Sequence, residues 1–237
     1  PVGATVKILI LKPSSLGDVV HALPVLRCLR RHLPASEIWW WIDTRLAPLL
    51  EGDPDLTGLV LFDRRRWAFP ASWPALWRSV RAQRRQRFDW VIDLQGLARS
   101  SLFGWLANGQ FTIGLDDPRE GARGFYDVIV PRPSPQTHAV DWYLEVLPKL
   151  NVPVRWDFEW LPPRASMAAA VRRRWNVDGR RWIVLLPGAR WLNKRWPVDY
   201  FAELVRHATT HDANLGFVVL GDAADRELGR RIAAAAP

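Results

Sequence analysis

Apolar and polar positions in the first part of the chain fall into blocks of two kinds. The runs at 6–11, 37–42, 58–62, 88–93 and 111–115 are short and largely apolar, as strands covered on both faces are. The stretches 16–33, 72–84, 98–107 and 138–150 have helical spacing. In the first of these, Leu16, Val19, Val20, Leu23, Leu26 and Leu29 make one stripe. Strands and helices in alternation predict a parallel sheet with helices on both faces, a doubly wound α/β unit. Periodicity lapses between Asn151 and Pro163, where prolines gather. Beyond it the pattern resumes with a helix near 165–175, the strand Trp182–Leu186, a helix from Pro197, the strand Leu215–Leu220 and a last helix. The expected domains are therefore 1–160 and 161–237. Two strands are fewer than a parallel sheet covered on both faces needs, so the second domain is expected to be incomplete at Pro237.

Composition narrows the class. With 49% hydrophobic and 24% charged residues, the chain has the apolar mass for a real core. Its one cysteine, Cys28, lies in the apolar first helix, which excludes an internal disulfide and fits a reducing compartment. The opening Pro1-Val-Gly-Ala-Thr leads straight into the first strand, without the basic-then-apolar pattern of a signal peptide. No apolar run approaches the roughly 18 residues of a membrane span. The expectation is a cytosolic or peripheral protein. Its 33 Lys+Arg against 24 Asp+Glu give a net charge of +9, which predicts an acidic partner: nucleic acid, anionic lipid or a phosphorylated small molecule. Arg64, Arg65, Arg66, Arg78, Arg81, Arg84, Arg85 and Arg87 follow one another with no acid between them, interleaved with Trp67, Trp73 and Trp77. Indole and guanidinium groups together suit a lipid headgroup layer. The alternative is a solvated helix face whose tryptophans pack inward. No recognised DNA or RNA motif accompanies the charge, so nucleic acid is not the expected partner.

Two loops carry the candidate chemistry. Lys12-Pro-Ser-Ser-Leu-Gly-Asp18 joins the first strand to the first helix, at the carboxyl edge of the sheet where ligands of open α/β folds bind. Ser14 or Ser15 can cap the helix, Gly17 lets a ligand approach the backbone, and free N–H groups there favour anions. The single glycine excludes both the G-x-G-x-x-G fingerprint and the P-loop. Asp18 either complements the helix dipole or serves as a general base. The second loop, Leu186-Pro-Gly-Ala-Arg-Trp-Leu-Asn-Lys-Arg-Trp-Pro197, sets Gly188, Arg190, Lys194 and Arg195 beside a helix N-terminus, a set suited to a diphosphate. Asp53-Pro-Asp55 mimics a D-x-D metal motif but reads as a turn after a helix, so no metal is expected.

The stretch Val6-Lys-Ile-Leu-Ile-Leu-Lys-Pro-Ser-Ser-Leu-Gly-Asp-Val-Val-His-Ala-Leu-Pro24 resembles the opening of the heptosyltransferase I family of bacterial lipopolysaccharide glycosyltransferases, in glycosyltransferase family 9. Phe88-Asp-Trp-Val-Ile-Asp-Leu-Gln-Gly-Leu97, Arg119-Glu-Gly-Ala with Thr137-His-Ala-Val140, and Pro187 to Pro197 agree in order. The resemblance implies a GT-B fold, two Rossmann-like domains with parallel sheets, the first binding acceptor and the second mainly ADP-heptose. It implies inverting, metal-independent transfer without a cofactor, with Asp18 as base. Ser15, Gly17, Gly188, Arg190, Lys194 and Arg195 fall on the donor side. Asp222, after Gly221, either accepts from the donor ribose or caps a helix. Arg64, Arg65, Arg66, Gln95, Gly96, Arg119, Glu120 and His138 fall on the acceptor side, where arginines suit the carboxylates of Kdo and the phosphates of lipid A. The implied acceptor is Kdo2-lipid A, met at the cytoplasmic face of the inner membrane. A family relative with another sugar or acceptor, or an acceptor-binding module that does not turn over, is the alternative. The family's later Asp-[Ser/Thr]-Gly-Pro segment has no counterpart before Pro237.

Overall fold

The computed structural model describes residues 5–63, 73–117, 122–176, 179–189 and 191–234. The chain divides into two compact units, Pro1–Pro162 and Pro163–Pro237.

The first unit is built on strands β1 (Lys7–Leu11), β2 (Glu37–Asp43), β3 (Gly58–Phe62), β4 (Trp90–Asp93), β5 (Phe111–Leu115) and β6 (Val128–Val130). All pair in parallel, in the order β3-β2-β1-β4-β5-β6. Alternate residues of β1 enter different cores. Ile8 and Ile10 pack with helix α1 (Leu16–His32), while Leu9 and Leu11 pack with Val80 and Phe103 on the other face. A strand at the centre of such a sheet has no wet face, which is why β1 reads as an unbroken apolar run.

The Asp18 carboxylate reaches back from the first turn of α1 to the amide of Ser15 at the N-cap, and Arg30, Arg31 and His32 occupy the last turn; both ends complement the helix dipole. The far face of the sheet carries α3 (Trp73–Gln86) and α4 (Ala98–Ala107); a single turn, α2 (Ala47–Leu50), follows β2.

Two expectations need correction. The helix expected at 138–150 is two, α5 (Ala139–Leu144) and α6 (Val146–Lys149); Pro148 has no N–H to continue the α5 ladder. Strand β6 and α2 were not expected, since three residues before a proline and a four-residue turn carry no periodicity.

The D-P-D turn has a structural task. Arg27 of α1 makes a fork to Asp53 at 2.6 and 2.7 Å and reaches Asp55 at 2.6 Å, while also donating to the carbonyls of Glu159 and Trp160. Both carboxylates are thus committed to a guanidinium.

The second unit contains α7 (Ala165–Trp175), β7 (Arg181–Leu185), α8 (Val198–His211), β8 (Leu215–Val219) and α9 (Arg226–Ala233), with β7 and β8 parallel. Leu185, Val205 and Ile232 are its buried hydrophobic centre among the described residues.

Candidate functional site

Strands β1 and β4 are neighbours, and the chain order runs outward from them in opposite directions. That is the switch point of a doubly wound sheet, where the loops at the strand ends open a crevice. Lys12, the first residue after β1, is only 3% exposed. Its Nζ donates to the Leu94 carbonyl at 2.7 Å and lies 4.5 Å from the centre of the Tyr143 ring. Its own carbonyl accepts from Trp40 Nε1 at 3.0 Å. A buried ammonium requires such partners, and through them it fastens the loop after β1 to the loop after β4.

Asp18 stands at the mouth of this crevice. Its Oδ2 accepts from the Ser15 hydroxyl at 2.7 Å and from the Ser15 amide at 3.0 Å, and among the described residues its Oδ1 accepts from none. Partial burial raises its pKa, but the two Ser15 bonds and the charges of Lys12 and His21 outweigh that and hold the carboxyl below its ordinary value. One helical turn on, His21 Nδ1 is buried without a hydrogen-bond partner among the described residues, and its ring meets His138 edge-on at 5.0 Å. His138 caps α5, its Nδ1 accepting from the Val140 amide at 3.3 Å.

The loop after β4 is shaped by Asp93. This buried carboxylate accepts from the amides of Gln95 at 2.8 Å and Gly96 at 3.0 Å, and from the Tyr126 hydroxyl at 2.8 Å. Burial dominates and pushes the carboxyl up, against the bonds from Ser100, Tyr126, Gly96 and Gln95. Gly96 has φ +68°, and a Cβ there would stand 3.0 Å from the Leu115 carbonyl, so the turn requires glycine. Among the described residues, Gln95 Oε1 is buried without a hydrogen-bond partner.

Beside Asp18 opens a cleft of about 660 Å³, lined by Asp116, Arg123, Arg132, Trp142 and Tyr143 among others. Arg123 and Asp116 form a two-pronged pair, both contacts 2.7 Å. Arg132 lies 5.2 Å over the Trp142 ring. The structure thus brings Asp18, Ser15, His138 and the Gln95-Gly96 turn to one sheet edge. It adds Lys12, His21, Asp93, Arg132 and Trp142 as residues of that edge. Lys12 and His21 stood inside the first motif without an assigned role; Arg132 carried no signal because the strand ahead of it, β6, was not foreseen.

In the second unit, Gly188 packs against the Asp225 side chain so closely that a Cβ would collide with it. Arg195 Nε donates to the Ala189 carbonyl at 2.7 Å, drawing the loop closed, while Lys194 is exposed. Asp222 Oδ1 accepts from the amides of Ala224 at 2.7 Å and Asp225 at 3.2 Å, so this carboxylate caps the turn before α9. Arg64, Arg65, Arg66, Arg119, Glu120 and Arg190 lie outside the described residues.

The family profile described as Glycosyltransferase family 9 (heptosyltransferase) matches residues 73–237. Lipopolysaccharide heptosyltransferase 1 of Pseudomonas aeruginosa is 27% identical over 240 residues, covering 96% of this chain and 64% of that protein. The chain therefore spans less than two thirds of that relative. A family 9 glycosyltransferase from Veillonella parvula superposes with a TM-score of 0.84 at 22% identity, over 99% of this chain and 69% of the other. The structure of Escherichia coli heptosyltransferase WaaC with ADP gives a TM-score of 0.72 at 25% identity, over 96% of this chain and 71% of the other. These likenesses give the chain the α/β fold of GT-B type.

Proposed function

Because the chain belongs to glycosyltransferase family 9, we propose that it serves transfer of heptose from ADP-heptose to a Kdo residue of the lipopolysaccharide inner core, Kdo2-lipid A being the acceptor. The observation that carries this reading is the state of Asp18. Its Oδ2 is held by Ser15, its Oδ1 accepts from none of the described residues, and its neighbours hold its pKa below the ordinary value. An ionised carboxylate beside a cleft can accept the proton of an acceptor hydroxyl as that oxygen attacks the anomeric carbon. The bond to ADP breaks as the new bond forms, with inversion. In the second unit, exposed Lys194 on the loop ahead of α8 neutralises the departing diphosphate. No step requires a metal.

The acceptor is a membrane glycolipid, and α3 offers a face for its membrane. Trp77 is 57% exposed, and Arg78, Arg81, Arg84 and Arg85 are exposed on the same arc, while Val80 turns into the core. Among the described residues, no helix is long and apolar enough to cross a membrane. Arginines with an indole ring suit peripheral contact with anionic headgroups at the cytoplasmic leaflet.

The test is ADP release with ADP-heptose and Kdo2-lipid A, measured on this chain and on the polypeptide carried to the full length of its relatives. Release that disappears in Asp18→Ala supports the mechanism. Release untouched by Asp18→Ala removes Asp18 as base. No release from either folded form overturns the donor and acceptor together and favours another sugar, another acceptor or a binding role.

A further inference from the structure

We infer that Arg132, braced on Trp142, is the anchor for a sugar carboxylate in the cleft beside Asp18. The inference rests on the acceptor reading of that cleft and names the group of the acceptor that is held. Three observations converge on it.

The first is charge. Arg123 spends its guanidinium on Asp116, and Asp18 has Lys12 as its nearby cation. Arg132 lines the same cleft and forms no ion pair among the described residues. Among the described residues it is thus the arginine of this wall without a carboxylate in ion-pair contact.

The second is rigidity. Arg132 Nε and one terminal nitrogen both donate to the Thr137 carbonyl, at 3.2 and 2.5 Å. The loop between them is laced by Ser134 and Thr137, whose hydroxyls stand 3.0 Å apart and whose backbones bond to each other at 3.1 Å. Trp142, beneath the guanidinium, is itself fixed by a 3.2 Å bond from its Nε1 to the buried Val130 carbonyl. A guanidinium held over an aromatic ring loses little freedom when it binds.

The third is geometry. With Nε and one N–H of a terminal nitrogen committed to Thr137, the end of the guanidinium still offers one outward N–H on each terminal nitrogen, a fork that matches a carboxylate in two parallel hydrogen bonds. A carboxylate on the acceptor sugar, seated there, leaves the sugar's hydroxyls to meet Asp18 across the same cleft.

The experiment measures binding apart from transfer. Free Kdo and its methyl ester are titrated calorimetrically into the chain, into Arg132→Gln and into Arg132→Lys. The expected result is that the wild-type chain binds the acid at least tenfold more tightly than the ester, that Arg132→Gln loses this preference, and that Arg132→Lys, which keeps the charge without the fork, retains part of it. Thermal melts of the variants separate this from a role in stapling the loop, because a staple shifts the melt without changing the acid-to-ester ratio. Equal affinity for acid and ester in the wild type, an unchanged ratio in Arg132→Gln, or no binding of Kdo at all overturns the inference. Arg132-dependent Kdo binding in a chain that releases no ADP leaves the anchor standing and removes the proposed transfer instead.

Discussion

The two units repeat one motif, a parallel strand feeding a helix through a loop at the sheet's carboxyl edge, yet they bury it very differently. In the first, β1 is flanked by β2 and β4 and covered on both faces, so that Leu9 is 0% exposed. In the second, among the described residues, β7 pairs with β8 alone, Val184 is 53% exposed, and no residue of α7 is buried. Their strands have similar composition; the difference lies in the number of neighbours. Loop exposure follows the same rule. The Lys12–Asp18 loop is tied down by a buried lysine and the buried Trp40 indole, whereas Trp191 and Leu192 of the Pro187–Pro197 loop are exposed. A well-packed sheet edge holds the group proposed for proton transfer, and a more open edge holds the cation proposed for the diphosphate.

This contrast can be broken most forcefully through ion pairs. Arg27 and Asp53 are almost wholly buried, whereas Arg231 and Asp199 are exposed. Arg27→Ala should cost about 3–5 kcal/mol in urea unfolding, since it strands a buried carboxylate, and Arg231→Ala less than about 1 kcal/mol; comparable losses would refute the difference in packing. Next come the strands. Leu9→Ala should cost about 2–5 kcal/mol, against about 0.5 kcal/mol or less for Val184→Ala, read by the same unfolding curves. A smaller effect, about 1–3 kcal/mol, is expected for Asp93→Asn, which puts an NH2 where Oδ2 accepts from the Tyr126 hydroxyl and leaves the Gln95 and Gly96 amides on a neutral oxygen in place of a charged one; amide hydrogen exchange at 95–97 should quicken while β7 exchange stays as it was.

The smallest effect concerns pH. The Asp18 carboxyl lies below its ordinary value because of Ser15, Lys12 and His21. It is therefore ionised at neutral pH, and activity that depends on it as base should fall only as pH drops through that lowered value. Ser15→Ala removes the hydroxyl bond and should move the acid limb of the transfer rate upward, leaving the rate near pH 7 to change by less than about threefold. An acid limb that does not move would show that Ser15 does not hold Asp18 ionised.

Much of the first unit was legible because its central strands are buried on both faces and so appear as apolar runs, and because helix α1 announces itself through Ser15, Asp18 and its leucine stripe. Asp18 was legible for the same local reason: it stands three positions after its cap, and the hydrogen bond follows from that spacing. Strand β6 was not, since Val128–Val130 is too short to show a period. With it went any sight of Arg132, which follows β6 and meets Trp142 across a proline-rich loop. The sequence by itself determined the alternation of strand and helix and the two loops that bear the chemistry, because these depend on side chains a few residues apart. Only the tertiary structure decided that β1 lies beside β4, that Lys12 reaches Leu94, that Tyr126 meets Asp93 and that Arg132 stands in the cleft with Asp18. These contacts join residues far apart in the chain, and their partners are chosen by strand order and burial, which no local pattern encodes.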